Sequence, residues 1–135
     1  MVRELAPPSG QMPPDEIALR DGTAIGVAGP AAIASDRHLA RHPEELARYG
    51  PHTRAWCRHD LQWVLSWAVQ EADGQPVELL AQIDWLARVL GARGYPLASL
   101  ADALDELAGE PVLVRYAGAA ERLRAGAHRV RQASE

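Results

Sequence analysis

The stretch Pro51–Ala72, PHTRAWCRHDLQWVLSWAVQEA, decides how this chain folds. It holds three of the four tryptophans (Trp56, Trp63, Trp67) and the single cysteine, Cys57. Wound as an α-helix at about 100° per residue, it sorts its side chains onto faces. Cys57, Leu61, Val64 and Ala68 fall on one line, with Leu65 beside them. Trp56, Trp63 and Trp67 form a second line on the same side. Arg58, His59, Gln62 and Ser66 are expected on the opposite, solvated face. Asp60 lies between the two apolar lines, one turn from both Cys57 and Trp63. A carboxylate in an apolar arc is costly unless something meets it. What meets Asp60 is the functional question.

Outward from that helix, prolines and glycines punctuate the chain. Pro30–His42 reads as a helix with Ile33 and Leu39 inward, and Pro43 opens a short successor over Glu44–Tyr49 closed by Gly50. Asp73-Gly74 ends the tryptophan helix, and Pro76 is expected to open the next. There Leu79, Ile83, Leu86 and Leu90 follow 4-3-4 spacing, and Asp84–Arg88 is an i,i+4 pair. Pro96–Ala108 presents Leu97, Leu100, Leu104 and Leu107 on one face. Pro111 is expected to start a last helix with Val112, Tyr116, Ala119, Leu123, Ala127 and Val130 inward, whose end frays because of Gly118 and Gly126.

Residues 1–29 hold or border half of the prolines and show little apolar periodicity; only Pro14–Arg20 reads as helical. They are expected to form an arm, partly disordered, ahead of a helical domain over 30–135. No stretch alternates at period two. The expected fold is all-α, a compact bundle of five to six helices with a proline-rich N-terminal arm.

Composition narrows the function classes. The chain of 135 residues has room for one domain with a substantial core. One cysteine excludes an intrachain disulfide and a multi-cysteine zinc site. A net charge of −4 argues against nucleic acid as partner. No apolar run reaches membrane-helix length, and the N-terminus lacks a basic stretch followed by an apolar one, so a cytoplasmic location is expected. No nucleophile-and-base pair, glycine-rich phosphate loop or carboxylate pair stands out, so an enzyme is not expected. His38 and His42 have the one-turn spacing of a zinc pair, but Pro43 ends their helix, and a solvated face is the expectation.

The run Cys57-Arg-His-Asp60-Leu-Gln-Trp63-Val-Leu65 resembles the phycobiliprotein helix that carries the bilin-linking cysteine in a Cys-x-Arg-Asp motif. The likeness continues to Leu90-Gly-Ala-Arg-Gly-Tyr-Pro-Leu-Ala-Ser-Leu100 and covers roughly residues 35–110. It implies a globin-like fold and a linear tetrapyrrole (bilin) as ligand. His59 stands where the motif has arginine, which alters one usual chromophore contact. The long N-terminal assembly helices are replaced by the proline-rich arm, so rod-building is not expected. Haem in the globin manner would need a histidine on the helix after the tryptophan helix, and Val77–Gly91 contains none.

Under this resemblance Asp60 accepts hydrogen bonds from pyrrole N–H groups, Cys57 adds to a vinyl group, and Trp56, Trp63 and Trp67 stack on the rings. His59 is exposed on its helix, within reach of a bilin carboxylate. In the bland alternative Asp60 accepts an indole N–H or meets an arginine such as Arg54, and Cys57 is a small core residue. Two functions follow: a non-enzymatic globin-like binding or sensory protein without haem, or a ligand-free interaction module that binds a second copy of itself or a regulatory protein.

Overall fold

A computed structural model describes residues 10–134. A short antiparallel hairpin, β1 (Glu16–Ala18) and β2 (Ala24–Gly26), comes first. Six α-helices follow: α1 (Ala28–Arg41), α2 (Glu44–Tyr49), α3 (Thr53–Ala72), α4 (Leu79–Ala92), α5 (Leu97–Ala108) and α6 (Ala117–Ala133). A 3₁₀ helix, Pro111–Tyr116, joins the last two. The fold is all-α apart from the hairpin, with 71% of residues helical. No helix among the described residues is long and apolar enough to cross a membrane.

The tryptophan helix α3 is the central element. α1, α2, α4, α5, α6 and β1 all pack against it, and α5 packs along α6. Leu61, Val64, Leu65, Ala68 and Val69 of α3 are fully enclosed, as the apolar line in the sequence requires. Leu79, Ile83, Leu86 and Leu90 close the α4 side, and Leu100, Leu104 and Leu107 the α5 side. Gly94 adopts φ +85°, which an L side chain rarely tolerates, so α4 can turn sharply into its C-terminal lock. The next amide, Tyr95 N–H, donates back to Leu90 O at 2.9 Å, and the Tyr95 ring is sent into the core.

Several expectations are corrected. Pro14–Arg20 is not helical; Glu16–Ala18 pairs with Ala24–Gly26, with Ile17 opposite Ile25. Asp21 makes the reversal possible, its Oδ1 accepting the Thr23 N–H at 2.9 Å and the Thr23 hydroxyl at 2.6 Å. Ile17 and Val27 are buried, so this part of the arm belongs to the core. The boundary drawn at residue 30 falls inside α1, and residues 1–9 lie outside the described residues.

Ile33 is 52% exposed; α1 turns Ala31, Ala34, Ser35, His38 and Leu39 inward instead. Small residues on that face let α1 lie close to α3. Ser66 is likewise buried rather than solvated, because its hydroxyl donates to Gln62 O at 2.7 Å and needs no water. α4 starts at Leu79, three residues after Pro76, where Glu71 Oε2 accepts the Leu79 N–H at 2.8 Å and caps the new helix. Asp84 reaches Arg129 of α6 at 2.6 Å and not Arg88. Pro111 opens the 3₁₀ turn, and α6 begins six residues later and runs to Ala133.

Candidate functional site

Asp60 sits midway along α3 with its side chain only 7% exposed. Its partner is His59, its own neighbour in sequence: His59 Nδ1 lies 3.0 Å from Asp60 Oδ1. The other histidine nitrogen, Nε2, donates to the main-chain oxygen of Gln11 at 2.7 Å. His59 is thus not on a solvated face; its side chain is 11% exposed and clasped between Asp60 and the segment before the hairpin. Of the partners in the bland alternative, Arg54 does not meet Asp60, and Arg93 is the arginine whose charge acts on it. Arg54 pairs with Asp36 at 3.0 Å, and the Trp63 indole N–H donates to Gln11 O at 3.1 Å. Asp60 Oδ2 is buried and has no hydrogen-bond partner among the described residues.

Burial raises the Asp60 carboxyl above its ordinary value of 3.8, against the lowering pull of His59 and the more distant charge of Arg93. The hydrogen bond to Asp60 is the main reason the His59 imidazole is raised from 6.5. The two shifts have different causes: burial disfavours the Asp60 charge, whereas the bond to Asp60 favours the His59 charge.

Beside this pair opens a cleft of about 290 Å³. Trp63 and Trp67 form one wall, their rings stacked with centroids 6.0 Å apart and planes at 26°. Trp85, Leu86 and Gln82 of α4 form the facing wall, with Asp60 and His59 at the polar end under Gln11. Three indoles and a carboxylate therefore surround one space. Trp85 and Gln82 lie beside the leucine stripe that marks the core face of α4, so leucine spacing alone does not point to them. The signal that points to them is the fourth tryptophan, three residues after a glutamine and so on the same flank of the helix.

Cys57 and Trp56 are not brought to this cleft. Both point into the core, where Trp56 meets the edge of Tyr95 at 5.3 Å between centroids. The gap they share with Asp60 and Leu90 measures about 10 Å³, at the lower limit for a single water. No pyrrole ring fits there. Burial also pushes the Cys57 thiol up to about 12, so the nucleophilic thiolate is not formed near neutral pH. Of the six candidates, Asp60, His59, Trp63 and Trp67 converge, while Cys57 and Trp56 serve packing.

The two histidines of α1 also depart from expectation. His38 is fully buried; its Nε2 lies 2.8 Å from Glu45 Oε2, and the Tyr95 hydroxyl donates to Glu45 Oε1 at 2.5 Å. His42 stacks on His38 at 4.5 Å and contacts Glu44 at 3.3 Å and Asp102 at 3.2 Å. His42, Glu44 and Glu45 place one ligand-type atom each within 4.8 Å of one another. Tyr95 and His38 already occupy both oxygens of Glu45, which reads as a buried polar tie between α1, α2 and the start of α5.

No family model, curated protein or solved structure matches this chain.

Proposed function

We propose that the protein is a non-enzymatic, haem-free binding or sensory protein whose ligand enters the cleft between Trp63, Trp67 and Trp85. The observation that carries this reading is the cleft itself, in which three indoles surround one space with Asp60 and His59 at its polar end. The indole faces suit flat rings. A linear tetrapyrrole, the ligand implied by the resemblance to phycobiliproteins, offers both flat rings and pyrrole N–H donors. At about 290 Å³ the cleft lies at the small end of ligand pockets. It takes one end of such a pigment, held without a covalent bond to Cys57.

The test is a titration with a linear tetrapyrrole, read by its visible absorption and by tryptophan fluorescence. Binding should sharpen and shift the absorption and quench the tryptophans. Trp85→Ala should weaken it, Cys57→Ala should leave it unchanged, and denaturation should release all the pigment. No change in either signal at pigment concentrations of roughly tens of micromolar retires the tetrapyrrole. The interaction module would then gain, and for it the outward apolar side chains Met12 and Val114, 83% and 80% exposed, are the contact points to examine.

A further inference from the structure

We propose that His42, Glu44 and Glu45 bind a zinc-like divalent metal ion at the junction of α1 and α2, a site separate from the aromatic cleft.

Four consecutive residues, His42-Pro-Glu-Glu45, supply the whole donor set. Pro43 fixes φ at −63°, and Glu45 N–H donates to His42 O at 3.0 Å, which closes the turn between the helices. His42 Nδ1 then lies 3.3 Å from Glu44 Oε1 and 4.0 Å from Glu45 Oε2. All three atoms are within 4.8 Å of one another. Zinc bonds of 2.0–2.2 Å hold neighbouring ligand atoms about 3–3.6 Å apart. The Glu44 side chain is 65% exposed and free to close the remaining gap.

Other elements hold two of the donors from behind. Asp102 of α5 lies 3.2 Å from His42 Nε2 and keeps the ring proton on that nitrogen, which leaves Nδ1 turned to the glutamates. Tyr95 donates to Glu45 Oε1 at 2.5 Å, and His38 Nε2 lies 2.8 Å from Oε2. Each carboxylate oxygen has a second lone pair, so Glu45 is anchored and still able to ligate.

The charges fit as well. Carboxylates elsewhere, such as Asp36, Glu71 and Glu106, are met by arginine. Among the described residues, Glu44 and Glu45 pair only with histidines. A ring nitrogen facing a carboxylate oxygen needs positive charge between them, either a proton or a metal ion. Two carboxylates and a neutral imidazole match a divalent cation, whereas a proton leaves one negative charge over. A nitrogen beside two oxygens suits zinc better than calcium or magnesium, which take oxygen ligands. Three protein ligands leave one position to water. His42 and Glu44 reach solvent, so the ion has a way in.

Calorimetric titration of zinc chloride into the full, chelator-treated chain tests the site, with the visible absorption of cobalt(II) reporting the ligand geometry. One ion should bind per chain and raise the melting temperature. Asp102→Asn, which changes only a positioning residue, should weaken zinc about tenfold to a hundredfold. His42→Gln and Glu44→Gln should weaken it at least as much and abolish the melting shift. Metal-free melting curves show that each variant is folded, and Glu44 is the substitution least able to disturb packing. His52→Gln and His128→Gln alter exposed histidines elsewhere and should leave the affinity unchanged. Zinc affinity that survives both His42→Gln and Glu44→Gln overturns the assignment to this turn. No binding up to roughly a hundred micromolar zinc overturns the proposal outright, and a proton then joins His42 to Glu44.

Discussion

His59 and Asp60 are consecutive on α3, yet their side chains meet, Nδ1 to Oδ1 at 3.0 Å. Neighbours on a helix diverge by about 100° and do not ordinarily face each other. Here the ring is drawn over by a second anchor, the Gln11 carbonyl at 2.7 Å from Nε2. The pair therefore depends on a segment 48 residues away in sequence, and it couples the start of the described chain to the middle of the core.

That coupling has a pH signature. Both groups keep their proton to higher pH in the folded chain than in the unfolded one. Folding takes up protons in that window, so the pair's contribution falls as pH rises. The carboxyl part of the loss begins above 3.8 and the imidazole part above 6.5. Urea unfolding from about pH 6 to pH 9 should show stability declining, and His59→Gln should flatten the part of the decline above the ordinary histidine value. A slope unchanged by the substitution would remove His59 as its source.

The buried tie of α1, α2 and Tyr95 gives a second expectation. Tyr95 donates to Glu45 Oε1 at 2.5 Å, and burial together with the Glu45 charge raises the phenol well above its ordinary value. The Tyr95 hydroxyl therefore stays protonated and donating throughout the usual pH range. Tyr95→Phe removes one donor from a buried carboxylate and should cost about 1.5–3 kcal/mol in denaturant unfolding. Glu45→Gln should make the loss at Tyr95 smaller, because the acceptor no longer carries charge. Independent, additive effects would mean that the two side chains do not share an energetic bond.

Ile17 tests the hairpin. It is 4% exposed and packs into the core from a stretch whose prolines suggest a loose arm. Arg20 N–H donates to Asp73 Oδ2 at 2.9 Å and Gln75 donates to Ala18 O at 2.9 Å, which bind the hairpin to the end of α3. Ile17→Ala should cost about 2–4 kcal/mol by thermal or urea unfolding. A loss below about 1 kcal/mol would restore the detached arm.

What was legible in the sequence follows from which forces have a short range along the chain. Leucine spacing in α4 and α5 and the apolar line of α3 are local patterns, and they mark the core faces correctly. Asp60 stands out as a charged residue among apolar ones, and Trp63 and Trp67 line one cleft with it. Partners distant in sequence leave no local trace. Asp84 could be read only against Arg88, although Arg129 reaches it. Helical angle alone puts His59 on an outer face and says nothing of the Gln11 carbonyl. Three-residue strands such as Glu16–Ala18 are too short to show alternation. The side of α3 on which Cys57 and Trp56 lie depends on how α5 and Tyr95 pack, which helical periodicity alone does not resolve.

Gly126 offers the sharpest packing test. On propensity alone, glycine in α6 weakens the helix, and alanine should add about 1 kcal/mol. The structure reverses the sign. A Cβ at position 126 would lie 2.5 Å from Ile83 Cδ1, with Leu80 Cδ2 at 3.6 Å and Ile83 Cγ2 at 3.7 Å. The first distance is far inside contact and the other two are ordinary, so a single methyl group decides the outcome. Gly126→Ala should therefore destabilise by about 1–3 kcal/mol, as overpacking does. Ile83→Val removes that methyl and alone should cost about 0.5–1.5 kcal/mol. Together the two changes should cost less than their sum by about 1 kcal/mol or more, because the helix gain is released once the clash is gone. Measured unfolding free energies of the wild type, the two single variants and the double variant complete the cycle. Additive losses would show that α6 does not close on α4 through this glycine.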